Sequence, residues 1–281
     1  MGGLEAGGVP AAQVLELTGE ATPVRDLLAD LWRRRSLVPM LAAKEFQARY
    51  RSATFGVLWG VALPLLQGAV LAVVFTVVVR IRTGVSYPVF VIAGQVLWSY
   101  FQASVTIGST SIVDQGGIAG KVYFPRLVLP AVPALSNLVG FLISLAFTLV
   151  LMALFGVEFR ATLLFLLVVI ALETVLVVGL SSLLTVAHVY FRDVRYMTQA
   201  ALLVLFYATP IIYPIEQARR IRLLLLLNPL TGVLQLSRQA IFGKAHDLLP
   251  AMVSTISWII VLSVVSLLVY RRHERVACDR L

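Results

Sequence analysis

The sequence predicts an all-α integral membrane protein with six transmembrane helices, an N-terminal amphipathic interface helix and short re-entrant helices between spans five and six. Three observations predict it. Of the 281 residues, 59% are apolar and only 13% charged, whereas soluble domains run near 45–50% and about 25%. Much of the chain falls into nearly uncharged stretches of about 20 residues or more, the length that crosses a hydrocarbon core about 30 Å thick. The basic residues, which leave a net charge of +9, gather between alternate stretches, the distribution of a membrane protein rather than of a nucleic-acid-binding face.

Residues 1–23 are rich in Gly and Ala, and their only charged side chains are Glu5, Glu16 and Glu20. They lack the basic segment and apolar core of a signal peptide and read as a flexible cytoplasmic tail. Residues 24–51 read as an amphipathic cytoplasmic interface segment. Thr22 can cap a helix and Pro23 suits its first turn. Val24, Leu27, Leu28, Leu31 and Trp32 then share one face, with Arg25, Asp26, Asp30, Arg33 and Arg34 on the rest. Such a helix lies in the membrane interface or packs on a partner protein.

Residues 52–272 hold six apolar stretches, at 57–79, 87–113, 127–157, 161–187, 196–215 and 248–270. Only Glu173 interrupts this uncharged pattern. A further run at 223–237 is too short to span and contains Asn228-Pro229, which breaks a helix. It reads as a pair of short re-entrant or interfacial helices. Residues 273–281 form a cytoplasmic C-terminal tail. With both termini cytoplasmic, 15 of the 23 Lys and Arg residues fall inside and only Arg80, Arg82 and Arg160 in the outer loops. The other five lie in 216–247, where the rule is strained. Twenty Arg against three Lys hint at a GC-rich bacterial genome, and Cys278 is the lone cysteine.

The chain carries no HExxH, no GxSxG and no metal-spaced Cys/His set. Residues 116–121 faintly resemble a phosphate loop, but the spacing is wrong and Val122 stands where Ser or Thr is needed. No ATP hydrolysis is expected of this polypeptide. Glu173 is the one carboxylate deep inside a span, where a charge costs roughly 2.5–3.5 kcal/mol on insertion scales. It reads as a hydrogen-bonded residue facing the interior, with a proton relay as the competing reading. Gln95, Ser99, Gln102, Thr106 and Ser109 follow a 4, 3, 4, 3 spacing on one helix face. They either bond neighbouring helices or line a hydrated path.

Trp98, Tyr100 and Phe101 crowd the same level, and Phe206, Tyr207 and Tyr213 recur near the outer half of span five. Rings with polar tips suit sliding sugars, and equally suit an interfacial belt. Gly56 and Gly60 form a GxxxG that permits close helix contact, and Pro64, Pro210 and Pro214 are expected to bend spans one and five. Two inner loops, at 121–126 (KVYFPR) and 188–194 (HVYFRDV), mix aromatics with cations. Each is a membrane edge or a docking surface for a cytosolic partner.

Several co-linear motifs carry a resemblance. Residues 44–51 (KEFQARYR), followed by 55–59 (FGVLW) and Pro64, resemble the entry to span one of ABC-2 type permeases that export polysaccharides. The runs at 121–130 (KVYFPRLVLP), 190–194 (YFRDV) and 208–214 (ATPIIYP), then Asn228-Pro229, Arg238 and Gly243, are similar to that family in the same order.

The resemblance implies a homodimer that binds two copies of a cytosolic ABC ATPase subunit. It implies no cofactor in this chain, ATP and Mg being held by the partner. A coupling helix would lie around 111–126, with Gly120, Lys121, Tyr123, Phe124 and Arg126 receiving the ATPase motion. The translocation channel would be lined by Trp59, Gln95, Trp98, Ser99, Phe101, Gln102, Thr106, Phe206, Tyr207 and Tyr213. Short helices within 216–247 would form an outer gate. The cargo would be a glycan on a polyprenyl diphosphate, such as an O-antigen-like chain. The Arg-rich, GC-rich composition points to cell-wall galactan, and charge and position, not the resemblance, make Arg49 and Arg51 the residues expected to attract the diphosphate. Other readings are an ABC-2 drug or lipid exporter, a proton-coupled carrier using Glu173 and a membrane-embedded transferase, the last disfavoured by scattered acids.

Overall fold

The computed structural model describes Arg33 and residues 36–51, 54–79, 83–114 and 128–279, with every side chain among them except those of residue 219 and residues 273–279. The tail 1–23, the 24–35 helix apart from Arg33, and the loop that holds Gly120, Lys121, Tyr123, Phe124 and Arg126 lie outside the described residues.

All regular structure among the described residues is helical. Helix α1 (Leu37–Tyr50) precedes α2 (Leu58–Val74), which widens into a π-helical turn over Phe75–Val79. Helix α3 (Tyr87–Gly108) starts with Pro88 in its first turn, where the missing N–H costs nothing. Helix α4 (Ala131–Leu154) and α5 (Phe165–Tyr190, entered through a 3-10 turn at Ala161–Leu164) follow. After α6 (Val194–Tyr207) come α7 (Arg222–Leu227), α8 (Pro229–Phe242) and the long α9 (Leu248–Asp279). Five of these segments are long and apolar enough to cross a membrane: α2 with its π turn, α3, α4, α5 with its 3-10 turn, and α9 through Arg272.

Helix α3 is the hub. It packs on α2, α4 and α5, while α5 and α8 bring α9 to the other side and α1 lies against α4. Lipid tails are as apolar as Leu, so close packing rather than water exclusion holds such helices together. Small residues mark the crossings. A Cβ on Gly68 would stand 3.0 Å from Ile92, one on Gly108 2.5 Å from Ser181, and one on Gly232 2.8 Å from the Ala251 backbone. Two clusters close the ends. Tyr87, Phe90, Met152 and Phe242 pack at one, and Ile112, Leu129, Val186 and Tyr270 at the other.

The fifth expected span, 196–215, is not one helix. Helix α6 has 14 residues, about 21 Å of rise, and the chain from Ala208 to Pro214 is irregular. Pro210 and Pro214 end the helix rather than bend it. The polar groups of this irregular backbone are answered by protein side chains, and the donors are specific. Tyr213 donates its hydroxyl to the Tyr207 carbonyl at 3.0 Å. Asn228 Nδ2 donates to the Ala208 carbonyl at 3.1 Å and to Thr209 Oγ1 at 2.8 Å. Arg238 donates to the Pro210 carbonyl, and the Tyr87 hydroxyl to that of Ile212 at 2.8 Å.

The expected break at Asn228-Pro229 is present. Asn228 caps α8 by accepting from the Leu230 N–H at 3.0 Å, and Pro229 takes the first position. Gly243, at φ +65°, ends α8 in a left-handed turn that only Gly adopts cheaply. Arg160 donates to the last carbonyl, that of Phe242, at 3.3 Å. The GxxxG reading fails: Gly56 precedes α2 at φ +50° with nothing near its Cβ position. Gly60 instead makes room for the Tyr50 hydroxyl of α1. Pro64 sits inside α2.

Candidate functional site

The polar face of α3 meets α1, α2 and α4 in an open groove of about 430 Å³. It runs from Arg49 and Thr106, near the Tyr270 end, to Gln67 and Val96 at mid-bundle. Four residues of the stripe and its surroundings come together here: Ser99, Gln102, Thr106 and, across from them, Trp59, half of whose surface is exposed. Ser99 and Gln102 are tied by hydrogen bonds to the amides and indole beside them. Gln95 Nε2 donates to Gln67 Oε1 at 2.9 Å and to Ser99 Oγ at 3.3 Å, and Trp98 Nε1 to Gln102 Oε1 at 2.9 Å. Asn137 Nδ2 donates to Ser104 Oγ at 3.1 Å, and its Oδ1 accepts from Arg49.

The other expected channel residues lie elsewhere. Gln95 is buried behind the groove; Ser109, the last member of the polar stripe though not of the expected channel, is buried too, its hydroxyl donating to the Thr106 carbonyl. Phe101 is wholly buried and Trp98 nearly so, the latter edge-on to Phe206 at 5.3 Å. Phe101 is therefore a core residue of the chain. Tyr207 is exposed, and Tyr213 is half-buried and spends its hydroxyl on the irregular segment. Sequence reasoning missed Gln67, Asn137 and Tyr50 in the groove; the first two were visible as lone amides inside apolar runs.

Arg49 pairs with Glu45 at 2.8 Å, one turn earlier on α1. Burial holds the Glu45 carboxyl above its ordinary range, and Arg49 pulls it part of the way back. Arg51 follows the helix end and is exposed. Of the two arginines, only Arg49 lines the groove, and much of its charge is already answered.

Glu173 faces the interior as expected, completely buried beneath Gly94, Trp98 and Thr209. The expected hydrogen bond is not there: neither carboxylate oxygen has a partner among the described residues. No second carboxylate or histidine joins it in its small cavity, whose other lining is mostly apolar. Among the described residues no group of three His, Cys, Asp or Glu comes together.

At the Tyr270 end, the second aromatic and basic loop is open to its surroundings. Phe191, Arg192, Asp193, Arg195 and Tyr196 are all exposed, while His188 is buried in α5. A surface of this make-up suits a partner protein better than packing within the chain.

Known proteins are similar to this chain along most of its length. The sequence profile of the ABC-2 type transporter family matches residues 37–242. An O-antigen export system permease protein RfbA of Myxococcus xanthus is 33% identical over 256 residues, covering 88% of this chain and 97% of the relative. A protein of the same name from Klebsiella pneumoniae is 26% identical over 200 residues, covering 70% and 77%.

Proposed function

The chain belongs to the ABC-2 type transporter family, and from that premise we propose that it is the permease subunit of an exporter that moves a polysaccharide across the bacterial cytoplasmic membrane. The observation that carries the reading is the amide- and aromatic-lined groove between α1, α2, α3 and α4, in a chain whose Myxococcus relative is named as an O-antigen export permease. Glycans present hydroxyls and ring faces. A wall of Gln67, Ser99, Gln102 and Trp59 offers donors, acceptors and an aromatic surface to both.

The groove is open on one side, and a second copy of the chain facing it would close a conduit between two protomers. The Tyr270 end, with Arg192 and Arg195 exposed, is cytoplasmic by the distribution of basic residues. Two copies of a separate ATPase would dock there, on the 188–194 loop and on the segment that includes Lys121, Tyr123, Phe124 and Arg126. ATP and Mg belong to that partner. A sixth crossing would be made by α6 together with the irregular 208–214 segment, whose Ala208, Pro210 and Ile212 carbonyls accept from protein side chains. Helices α7 and α8 would then re-enter from the outer side. A glycan on a polyprenyl diphosphate, galactan or O-antigen-like, would enter with its diphosphate near Arg49 and Arg51.

The test is reconstitution of the permease with its ATPase in proteoliposomes. Lipid-linked glycan is expected to stimulate ATP hydrolysis, and Gln102→Leu with Ser99→Leu to blunt that response while the complex still assembles. No response of the wild-type complex to authentic cargo would sink the proposal.

A further inference from the structure

A second cavity, of about 330 Å³, opens at the Phe242 end of the bundle, away from the groove. Arg238, Lys244, Phe90, Glu216, His246 and Val85 are among its lining. Arg238 is only 7% exposed. Its guanidinium lies 4.0 Å above the Phe90 ring centre. One Nη donates to the Pro210 carbonyl and the other to Gln235 Oε1 at 3.3 Å. The Nε–H is buried without an acceptor.

A buried cation ordinarily has a charged partner, because neutral acceptors do not repay its lost hydration. Among the described residues no carboxylate forms an ion pair with Arg238. Glu216, which lines the same cavity, lies 3.2 Å from His246, and its charge reaches Arg238 only from beyond ion-pair distance. Lys244 adds an exposed ammonium at the rim. The N-terminal end of α3 also faces this region, since Val85 lines the cavity two residues before Tyr87 begins the helix. That end carries the positive pole of a 22-residue helix.

We propose that this cavity binds a phosphate group, seated between the Arg238 guanidinium and the Lys244 ammonium. Its volume lies at the small end of ligand pockets, enough for a phosphate with one glycerol- or sugar-sized substituent. The phosphate can come from a phospholipid headgroup or from a soluble phosphate ester. The proposal does not depend on what passes through the groove.

The experiment is thermal melting of the full-length protein in uncharged maltoside micelles at constant ionic strength. Inorganic phosphate and glucose 1-phosphate are titrated against glucose, and phosphatidylglycerol against uncharged diacylglycerol. A saturable rise in midpoint with the phosphate compounds alone is expected. Lys244→Ala should weaken the apparent affinity by about tenfold, the loss of one charge-assisted bond. Arg238→Gln should abolish the effect if it folds; because Arg238 also holds Pro210, Lys244→Ala is the deciding variant. Protection by phosphatidylglycerol alone identifies a lipid headgroup, and protection by glucose 1-phosphate a soluble ester. Equal midpoints with the phosphate and phosphate-free compounds, or an affinity unchanged in Lys244→Ala, would overturn the proposal.

Discussion

Replacing Asn228 should loosen the irregular segment between α6 and α7 more than any surface change of equal size. One side chain does three things there. Its Oδ1 caps α8, and its Nδ2 serves both the Ala208 carbonyl and Thr209 Oγ1. Losing an N-cap costs about 1 kcal/mol, and each side-chain hydrogen bond in a membrane bundle is worth about 0.6 to 1.7 kcal/mol. Asn228→Ala should therefore destabilise by about 2–4 kcal/mol. Asn228→Asp keeps the cap but turns an acceptor toward the Ala208 carbonyl, so its cost, about 1–3 kcal/mol, isolates the donor bonds. Unfolding in mixed micelles of rising dodecyl sulfate content, followed by tryptophan fluorescence, measures both. If both variants fall within about 0.5 kcal/mol of the parent, the range of an ordinary surface change, then protein donors do not hold this segment.

Three further expectations follow from single positions. Glu173→Gln keeps shape and removes only the ionisable proton, so export measured as surface polysaccharide should stay above half of the parent level; loss of export with normal folding would restore the proton-relay reading. Gly232→Ala drives a methyl into the Ala251 backbone and Thr255, where overpacking costs about 1–3 kcal/mol or more; a normal yield of folded protein would show that α8 and α9 have room to separate. Glu45 holds its proton more tightly in the fold than in the unfolded chain. Its contribution relative to Glu45→Gln should thus be most favourable below the ordinary carboxyl pKa of 4.5 and decline as pH rises through the raised value. Parallel melting curves of the two proteins across that range would contradict the burial argument.

Five spans were legible in the sequence because length and the absence of charge are enough to mark a helix that crosses lipid. The stretch at 196–215 was expected as one helix, and the structure ends that helix at Tyr207 for a physical reason. Residues 196–215 are as apolar as a span, but Pro210 and Pro214 remove donors and the freed carbonyls are answered from far away, by Tyr87, Asn228 and Arg238. No local pattern announces such donors. The polar stripe of α3 was legible from its period, yet which members open to the groove depends on α1, α2 and α4. Gln95 is covered, whereas Gln102 is not. Arg238 illustrates the same limit. It counted against the charge-distribution rule as a stray cation, and the fold buries it under Phe90 and the irregular segment.

The position of α3 connects these observations. In the stretch that defines each span, 72% of α3 is buried but only 17% of α2 and of α9, although α3 carries the polar stripe. In water the central helix of a bundle would be the most apolar one. In a bilayer the preference reverses, because lipid accepts Leu and Val as readily as protein does and refuses Gln and Ser. The polar helix is therefore drawn to the centre and its apolar neighbours are left bare to lipid or to another chain. The groove between α2 and α3 lies where that segregation is incomplete: Gln102 and Trp59 stay exposed beside hydrogen-bonded amides. Lipid cannot satisfy such a surface. Something polar must cover it, and the second protomer and the glycan proposed above would each do so.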